Sequence, residues 1–438
     1  MSWREDYQKK LITADEAAAK IQDGDRMWYG AIMSAPLDIG MAIDRRLETM
    51  KDVVAFSGLC LYPYKWMTSA GIGHIHYETL FLGPVERKLY PMGNITITSY
   101  NFCQCDNLAR DIMKTNVAIF EVSPPDENGY MSFGPIGSYN GYGIASVSDT
   151  VIVQVNKHTP YIPGARDAFL HVSEVDWIVE GDHPLPELPA SEITDEDRAI
   201  GNFIAAEIPD GACLQVGLGG VPDAVCYQLK DRKDLGFHAE MMPDGVAELV
   251  KLGVINNAKK NLHPGKIVTP MTPGSHKLND FVANNDMMEI HGISYVNNPI
   301  IAAQNDNLMC INGTLMCDLT GQCCSESIGH TQFSGTGGQL DYAIAASLSK
   351  GGKNFMCLHS TVTNKDGSLS STITCDLPAG AVVTTPRSLA DYIVTEYGIA
   401  HLRNKSIPAR VNAMIEIAHP DFREQLRKDA IAAGLIRE

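Results

Sequence analysis

One stretch of this 438-residue chain is written twice, and that limits its fold more than any single motif. Ala18–Gly30 aligns with Ala205–Gly217: each reads as the end of a helix, an Asp-Gly turn, a strand, and a glycine where the strand stops. Each helix is announced by a capping box, Thr13 with Glu16 and Thr194 with Asp197. A second echo pairs Asp126–Ser132 with Asp318–Ser325, both turn-rich after an apolar strand, as in a hairpin. A third pairs Asp176–Val179 with Asp391–Val394. Helix–turn–strand units look alike anywhere, so one echo proves little. Three in the same order predict two copies of one α/β unit. Apolar runs such as Val117–Val122 and Thr150–Val155 suit a sheet buried on both faces. The expected architecture is therefore an open, largely parallel sheet in each half. The proline-rich Asp182–Ala190 can continue neither helix nor strand. Domains are expected at 1–190 and 191–438.

Such a length exceeds what one core supports, in line with two domains. No apolar run approaches the roughly 18–20 residues that span a bilayer, and the charged start Met1–Lys10 does not resemble a signal peptide. A cytoplasmic protein without a membrane partner is expected. The net charge of −17 argues against nucleic acid. Eleven cysteines, an odd number without a secretory signal, read as reduced and mostly buried thiols. The close pairs Cys103/Cys105 and Cys323/Cys324 lack zinc-site spacing, so no metal is expected.

Three segments could carry chemistry. The loop Gly217, Leu218, Gly219, Gly220, Val221 follows a predicted strand (212–216) and precedes a predicted helix (222–229). A glycine loop there lets backbone N–H groups approach an anionic ligand at a helix N-terminus, although a bare strand-to-helix turn explains the glycines equally well. It is neither a Rossmann fingerprint nor a P-loop. Glu240 follows a predicted short strand (236–239) and precedes a predicted loop, Met241–Gly245. A lone glutamate is ordinarily a solvated charge, but the carboxyl end of a parallel strand is where α/β sheets place functional groups. The third segment, Phe333–Gly338 with Asp341, is either a flexible surface loop or a close backbone approach. Downstream, Asn364 and Lys365 sit in a sequence that favours a turn, Asn364–Gly367.

Together these segments resemble the acetyl-CoA hydrolase/transferase family, and within it the 4-hydroxybutyrate and butyrate CoA-transferases. The resemblance runs from the Thr13 region to His419–Phe422. It implies two tandem homologous α/β domains of the CoA-transferase (NagB/RpiA-like) type. It also implies that Glu240 is a covalent nucleophile, forming a glutamyl-CoA thioester in a ping-pong exchange between short-chain acids. By the same resemblance Gly217, Leu218, Gly219, Gly220 and Val221 contact CoA, with the Leu218 amide donating to an oxyanion. Gly337 and Gly338 become candidates for a second oxyanion or CoA amide, and Asn364 and Lys365 for reaching CoA phosphate. Coenzyme A and acyl-CoA are then substrates rather than bound cofactors, and a homo-oligomer, dimer or tetramer, is implied. Ser123–Gly129 and Thr395–Ala400 match stretches of the family and read as structural. The acid stays open among 4-hydroxybutyrate, butyrate, propionate, acetate, itaconate and succinate. Trp28, Tyr29, Met33, Tyr62, Tyr64 and Trp66 are either an apolar acyl wall or simply core. An acyl-CoA hydrolase using the same glutamate and a non-catalytic acyl-CoA binder are the rival readings.

Overall fold

The computed structural model describes residues 2–136, 141–188 and 191–437. The chain forms two compact units, one comprising residues 1–189 and 268–296, the other 190–267 and 297–438. The second unit is thus not one continuous run from 191, because segment 268–296 packs with the first; Ala190, at the expected boundary, lies outside the described residues.

The first unit is built on a seven-stranded sheet. Its strands are β1 (Arg26–Tyr29), β2 (Val53–Ser57), β3 (Ile75–Thr79), β4 (Ile95–Ile97), β5 (Val117–Val122), β6 (Thr150–Asn156) and β7 (Trp177–Gly181). They lie in the order β4-β3-β2-β1-β5-β6-β7, every neighbouring pair parallel. All of β5 is buried, as expected for a strand covered on both faces. The second unit carries β8 (Cys213–Val216), β9 (Gly236–Phe237), β10 (Leu308–Gly313), β11 (Lys353–Cys357), β12 (Tyr392–Thr395) and β13 (Gly398–His401). Their order is β9-β8-β10-β11-β12-β13, parallel except for the last pair. The order β2-β1-β5-β6-β7 therefore recurs as β9-β8-β10-β11-β12.

The repetition extends to individual hydrogen bonds. Thr13 caps α1 (Ala14–Ala18) and Thr194 caps α3 (Asp195–Glu207), each in a full capping box. Between them lies α2 (Leu37–Arg46), which follows β1. In the Asp-Gly turns, Asp23 accepts from the Lys51 amide and Asp210 from the Lys233 amide, at 2.8 and 2.9 Å. The glycines that follow have φ of 84° and 76°, the left-handed region that glycine enters without strain. Asp126 Oδ1 accepts from the amides of Asn128 and Tyr130, and Asp318 Oδ1 from those of Thr320 and Gln322, all at 2.9 Å. The two turns then diverge: Met316–Asp318 pairs with Cys323–Cys324 as a hairpin, whereas Tyr130–Ser132 pairs with Phe169–His171.

Five of the six aromatic and methionine candidates for an acyl wall are buried: Trp28, Tyr29, Met33, Tyr64 and Trp66. Tyr64 stacks on Trp66 at 5.2 Å between ring centroids, and the Tyr29 and Tyr64 hydroxyls lie 2.8 Å apart. Tyr62 packs partly buried against the same core. All eleven cysteines are free, and only Cys103 and Cys375 are less than fully buried.

The carboxyl edge of the first sheet is closed by a buried polar cluster. Glu121, near the end of β5, is fully buried and lies 2.9 Å from His183 Nε2. Asn156 Nδ2 and Thr159 Oγ1 donate to its other oxygen, each at 3.1 Å. Burial raises the Glu121 carboxyl, and its hydrogen bond to His183 opposes that; the same bond raises the imidazole. His183 belongs to the proline-rich stretch, whose backbone is also held by Asn156 Nδ2 donating to the His183 carbonyl at 2.9 Å. Removing one member of a buried, charge-assisted hydrogen-bonded pair leaves the other short of a partner. His183→Ala should therefore lower stability by about 3 kcal/mol, and Glu121→Gln in the same chain should recover most of it. Thermal unfolding of the single and double variants measures this; additive losses would mean that the pair is not coupled.

Candidate active site

The site grows from the carboxyl edge of the second sheet. After β8 the chain turns through Gly217, Leu218 and Gly219 into α4 (Gly220–Gln228). Gly219 has φ of 124°, a conformation open only to glycine. A Cβ at Gly217, at Gly219 or at Gly313, the last residue of β10, would meet nothing within 4 Å. These three glycines border open space, which a ligand could fill. Gly220 has a different reason: a Cβ there would collide with the Asp197 carboxylate of α3. Leu218 is 44% exposed, the one large side chain between the glycines of the loop, and Val221 is partly buried. Among the described residues the Leu218 amide donates to no backbone acceptor.

Glu240 arrives on the neighbouring strand. β9 pairs with β8 in the register Cys213↔Gly236 and Leu214↔Phe237, and the His238 amide extends it by donating to the Leu214 carbonyl. The ammonium of Lys260 holds the Phe237 carbonyl at 2.9 Å, and Asn257 Oδ1 accepts from the Phe237 amide at 2.8 Å. The segment beyond Glu240 is shorter than expected as a loop, because α5 (Asp244–Lys251) already starts at Asp244 behind Pro243. Proline is well placed there: it lacks only an N–H that the helix does not need.

One carboxylate oxygen, Glu240 Oε2, accepts from Asn297 Nδ2 at 2.6 Å and the Gly338 backbone also donates to the carboxylate. A Cβ at Gly338 would overlap both Glu240 Oε2 and Asn297 Nδ2, so no other residue fits. Burial pushes the Glu240 carboxyl up to about 7; nearby Asp341 adds to the rise, while Asn297 and Gly338 oppose it. The glutamate as a residue keeps some exposure, yet its carboxylate is desolvated. Gly338 immediately precedes α6 (Gln339–Leu348). Its loop is braced rather than loose: the Glu326 carbonyl accepts from the Phe333 and Ser334 amides, and Thr336 Oγ1 donates to the Glu326 carboxylate. Gly337, next to it, has φ of 53°.

Glu240 and Gly338 are thus brought into contact, and the glycine loop lies at the same edge on the adjacent strand. Asn364 and Lys365 are not joined to them. They form the turn of an exposed hairpin, where Asn364 Nδ2 donates to the hydroxyls of Ser368 and Ser370. In Thr395–Ala400 the Glu396 carboxylate accepts from both the amide and the hydroxyl of Ser360. Asn297 escaped sequence reading. It stands in Asn297-Asn298-Pro299, a string that suggests only a helix start, and its contact with Glu240 spans 57 positions.

Comparison with known proteins shows the family. The family description "acetyl-CoA hydrolase/transferase N-terminal domain" matches residues 1–189, and its C-terminal counterpart matches residues 274–430. A 4-hydroxybutyrate coenzyme A transferase of Clostridium kluyveri is 43% identical, covering 98% of this chain and 99% of that one. A butyryl-CoA:acetate CoA-transferase of Anaerostipes caccae is 38% identical over 100% of this chain and 99% of its own. The crystal structure of RipA from Yersinia pestis superposes with a TM-score of 0.93 at 34% identity, over 100% of both chains. Among the described residues no helix is long and apolar enough to cross a membrane. This chain belongs to the acetyl-CoA hydrolase/transferase family.

Proposed function

We propose that this protein is an acyl-CoA:carboxylate CoA-transferase that works by a ping-pong exchange through a glutamyl-CoA thioester on Glu240. The observation that carries the reading is the seating of the Glu240 carboxylate: Oε2 accepts from Asn297 and lies against Gly338, whose backbone also donates to the carboxylate, and the attack is assigned to Oε1. Oε1 adds to the thioester carbon of the donor, the C–S bond breaks, and CoA leaves as thiolate from a mixed anhydride. The thiolate then adds to Cδ of Glu240, and the negative charge of that step develops on Oε2. Asn297 already donates to that oxygen and Gly338 to the same carboxylate, so little reorganisation is needed as charge forms. Breaking the Cδ–Oε1 bond releases the donor's acid and leaves the glutamyl thioester. An acceptor carboxylate reverses the sequence and departs as the new acyl-CoA, which conserves the thioester. Oxyanion stabilisation on the acyl side is assigned to the Leu218 amide, and Gly217, Gly219, Gly220 and Val221 to the surface that CoA meets.

Raising the Glu240 carboxyl serves this chemistry, since a desolvated carboxylate is a better nucleophile than a hydrated one. The relatives' names share the CoA thioester and differ in the acid. A short-chain carboxylate is accordingly the proposed acceptor class, with 4-hydroxybutyrate, butyrate, acetate, itaconate and succinate the acids to screen. A cytoplasmic homo-oligomer, dimer or tetramer, belongs to the same proposal.

Incubation with butyryl-CoA and no acceptor should add a CoA-sized mass to the Glu240 peptide, removable by borohydride; acyl-CoA consumed without any adduct would favour a hydrolase. Glu240→Ala should abolish transfer while CoA still binds, and transfer at wild-type rate would refute the mechanism. Asn297→Ala should lower kcat by about 10²–10³-fold, the usual loss for one oxyanion donor. A change confined to KM would deny Asn297 that role. Because Glu240 must be ionised to attack, log(kcat/KM) should fall below pH about 7. An acid limb lying instead near the ordinary glutamate range would show that the carboxylate is solvated in the free enzyme.

A further inference from the structure

We propose that His359 is an acyl-CoA binding residue, its Nδ1 accepting a hydrogen bond from an N–H group of the CoA. The proposal rests on the CoA-transfer reading above and extends it to a residue outside the glycine loop and the nucleophile.

His359 is exposed between two buried neighbours, Leu358 and Ser360, just past the end of β11. Its backbone is fixed on both sides. The Leu358 amide donates to the Val394 carbonyl, Thr372 Oγ1 donates to the His359 carbonyl at 2.7 Å, and the Ser360 amide donates to Glu396 at 2.9 Å. β11 pairs with β10 in the register Cys357↔Gly313, and β10 pairs with β8. The ends of three adjacent strands therefore present Gly217, Gly313 and His359 along one edge, two of them bordering open space.

The ring is oriented by a buried carboxylate. His359 Nε2 lies 2.8 Å from Asp197 Oδ1, and the Asp197 side chain is 7% exposed. A carboxylate can only accept, so Nε2 carries the hydrogen, which in the neutral tautomer leaves Nδ1 as the acceptor. The other oxygen of Asp197 accepts from the Thr194 amide at 3.0 Å and lies against Gly220. One carboxylate thus sets the position of the ring relative to the glycine loop. Glu196, in the same helical turn, adds negative charge near the imidazole. Such surroundings favour an N–H donor and disfavour a phosphate. CoA carries such donors in its two pantetheine amides and its adenine amino group.

The internal repeat supplies a contrast. Glu121 precedes the Asp126 turn by as many residues as Gly313 precedes the Asp318 turn, and Glu121 pairs with Gln154 as Gly313 pairs with Cys357. Two residues later stand Asn156 and His359. In the first unit this edge is filled by Glu121, Asn156 and His183 bonded to one another. In the second unit the glutamate is replaced by glycine and the asparagine by an oriented histidine, which opens the edge.

Two substitutions separate binding from support of Asp197. His359→Gln keeps an N–H donor for Asp197 and loses the Nδ1 acceptor; His359→Asn keeps an acceptor near Nδ1 and loses the reach to Asp197. The test measures CoA affinity by calorimetry, acyl-CoA KM and kcat, and the unfolding midpoint of both variants. His359→Gln should weaken CoA binding and raise KM about fivefold to tenfold, with kcat within about twofold and the midpoint unchanged. His359→Asn should bind CoA better than His359→Gln despite a lower midpoint. The proposal is overturned if His359→Gln binds CoA as the wild type does, or if affinity merely follows stability across the pair. Acyl-pantetheine identifies the donor: a penalty that persists with it assigns a pantetheine amide, and one that vanishes assigns the adenine amino group. Calorimetry needs no turnover. Wild-type CoA binding without a Glu240 adduct would sink the transfer mechanism and leave this assignment standing, whereas loss of the His359→Gln effect alone would do the reverse.

Discussion

The close approach of Gly338 to the Glu240 carboxylate is the contact around which the second unit is arranged. Oxygen and nitrogen atoms occupy the space where any other residue would carry a side chain. The approach requires β9 to deliver the glutamate at the sheet's carboxyl edge, the braced loop to bring Gly338 in front of α6, and Asn297 to complete the pair of donors. Each of those supports is itself tied down, by Lys260 and Asn257 beneath the strand and by Glu326 beneath the loop. Burial works against the ionised carboxylate there, and the two N–H donors return part of that cost.

The two units share a plan and differ in what they do with its edge. In the first, β5 and β6 end in glutamate, glutamine and asparagine side chains that, with His183, satisfy one another. In the second, Gly217 and Gly313 at the strand ends leave space. A buried charge that is paired serves stability; one that is held but reactive serves chemistry. The same sheet thus supports a closed edge and an open one, and residue choice at a few positions separates them.

Much of this was legible from residues alone. The capping boxes at Thr13 and Thr194, the Asp-Gly turns and the Asp126 and Asp318 turns are local chemistry, and the hydrogen bonds found at them are the ones such sequences favour. The glycine loop and Glu240 were legible as positions relative to strands. Asn297 and His359 were not, because their meaning lies in partners 57 and 162 positions away, and neither stands in a string that differs from an ordinary loop. The purpose of individual glycines was equally hidden: Gly217 and Gly219 border space, while Gly220 makes room for Asp197. The split of residues 268–296 from the second unit also leaves no mark in composition.

That excursion has a consequence for how the protein is made. The chain leaves the second unit after Ile267 and re-enters it at Asn297, the residue that donates to Glu240. During synthesis the first unit cannot be completed until residue 296 has emerged, by which time Glu240 is already outside the ribosome without its donors. The surroundings of Glu240 are thus assembled from segments made at different times. A fragment cut at the proline-rich stretch would carry residues 268–296 without the partners they pack against. Expression of either half alone therefore removes part of one unit and exposes apolar surface, so the two units are separable in topology but not in the continuous chain.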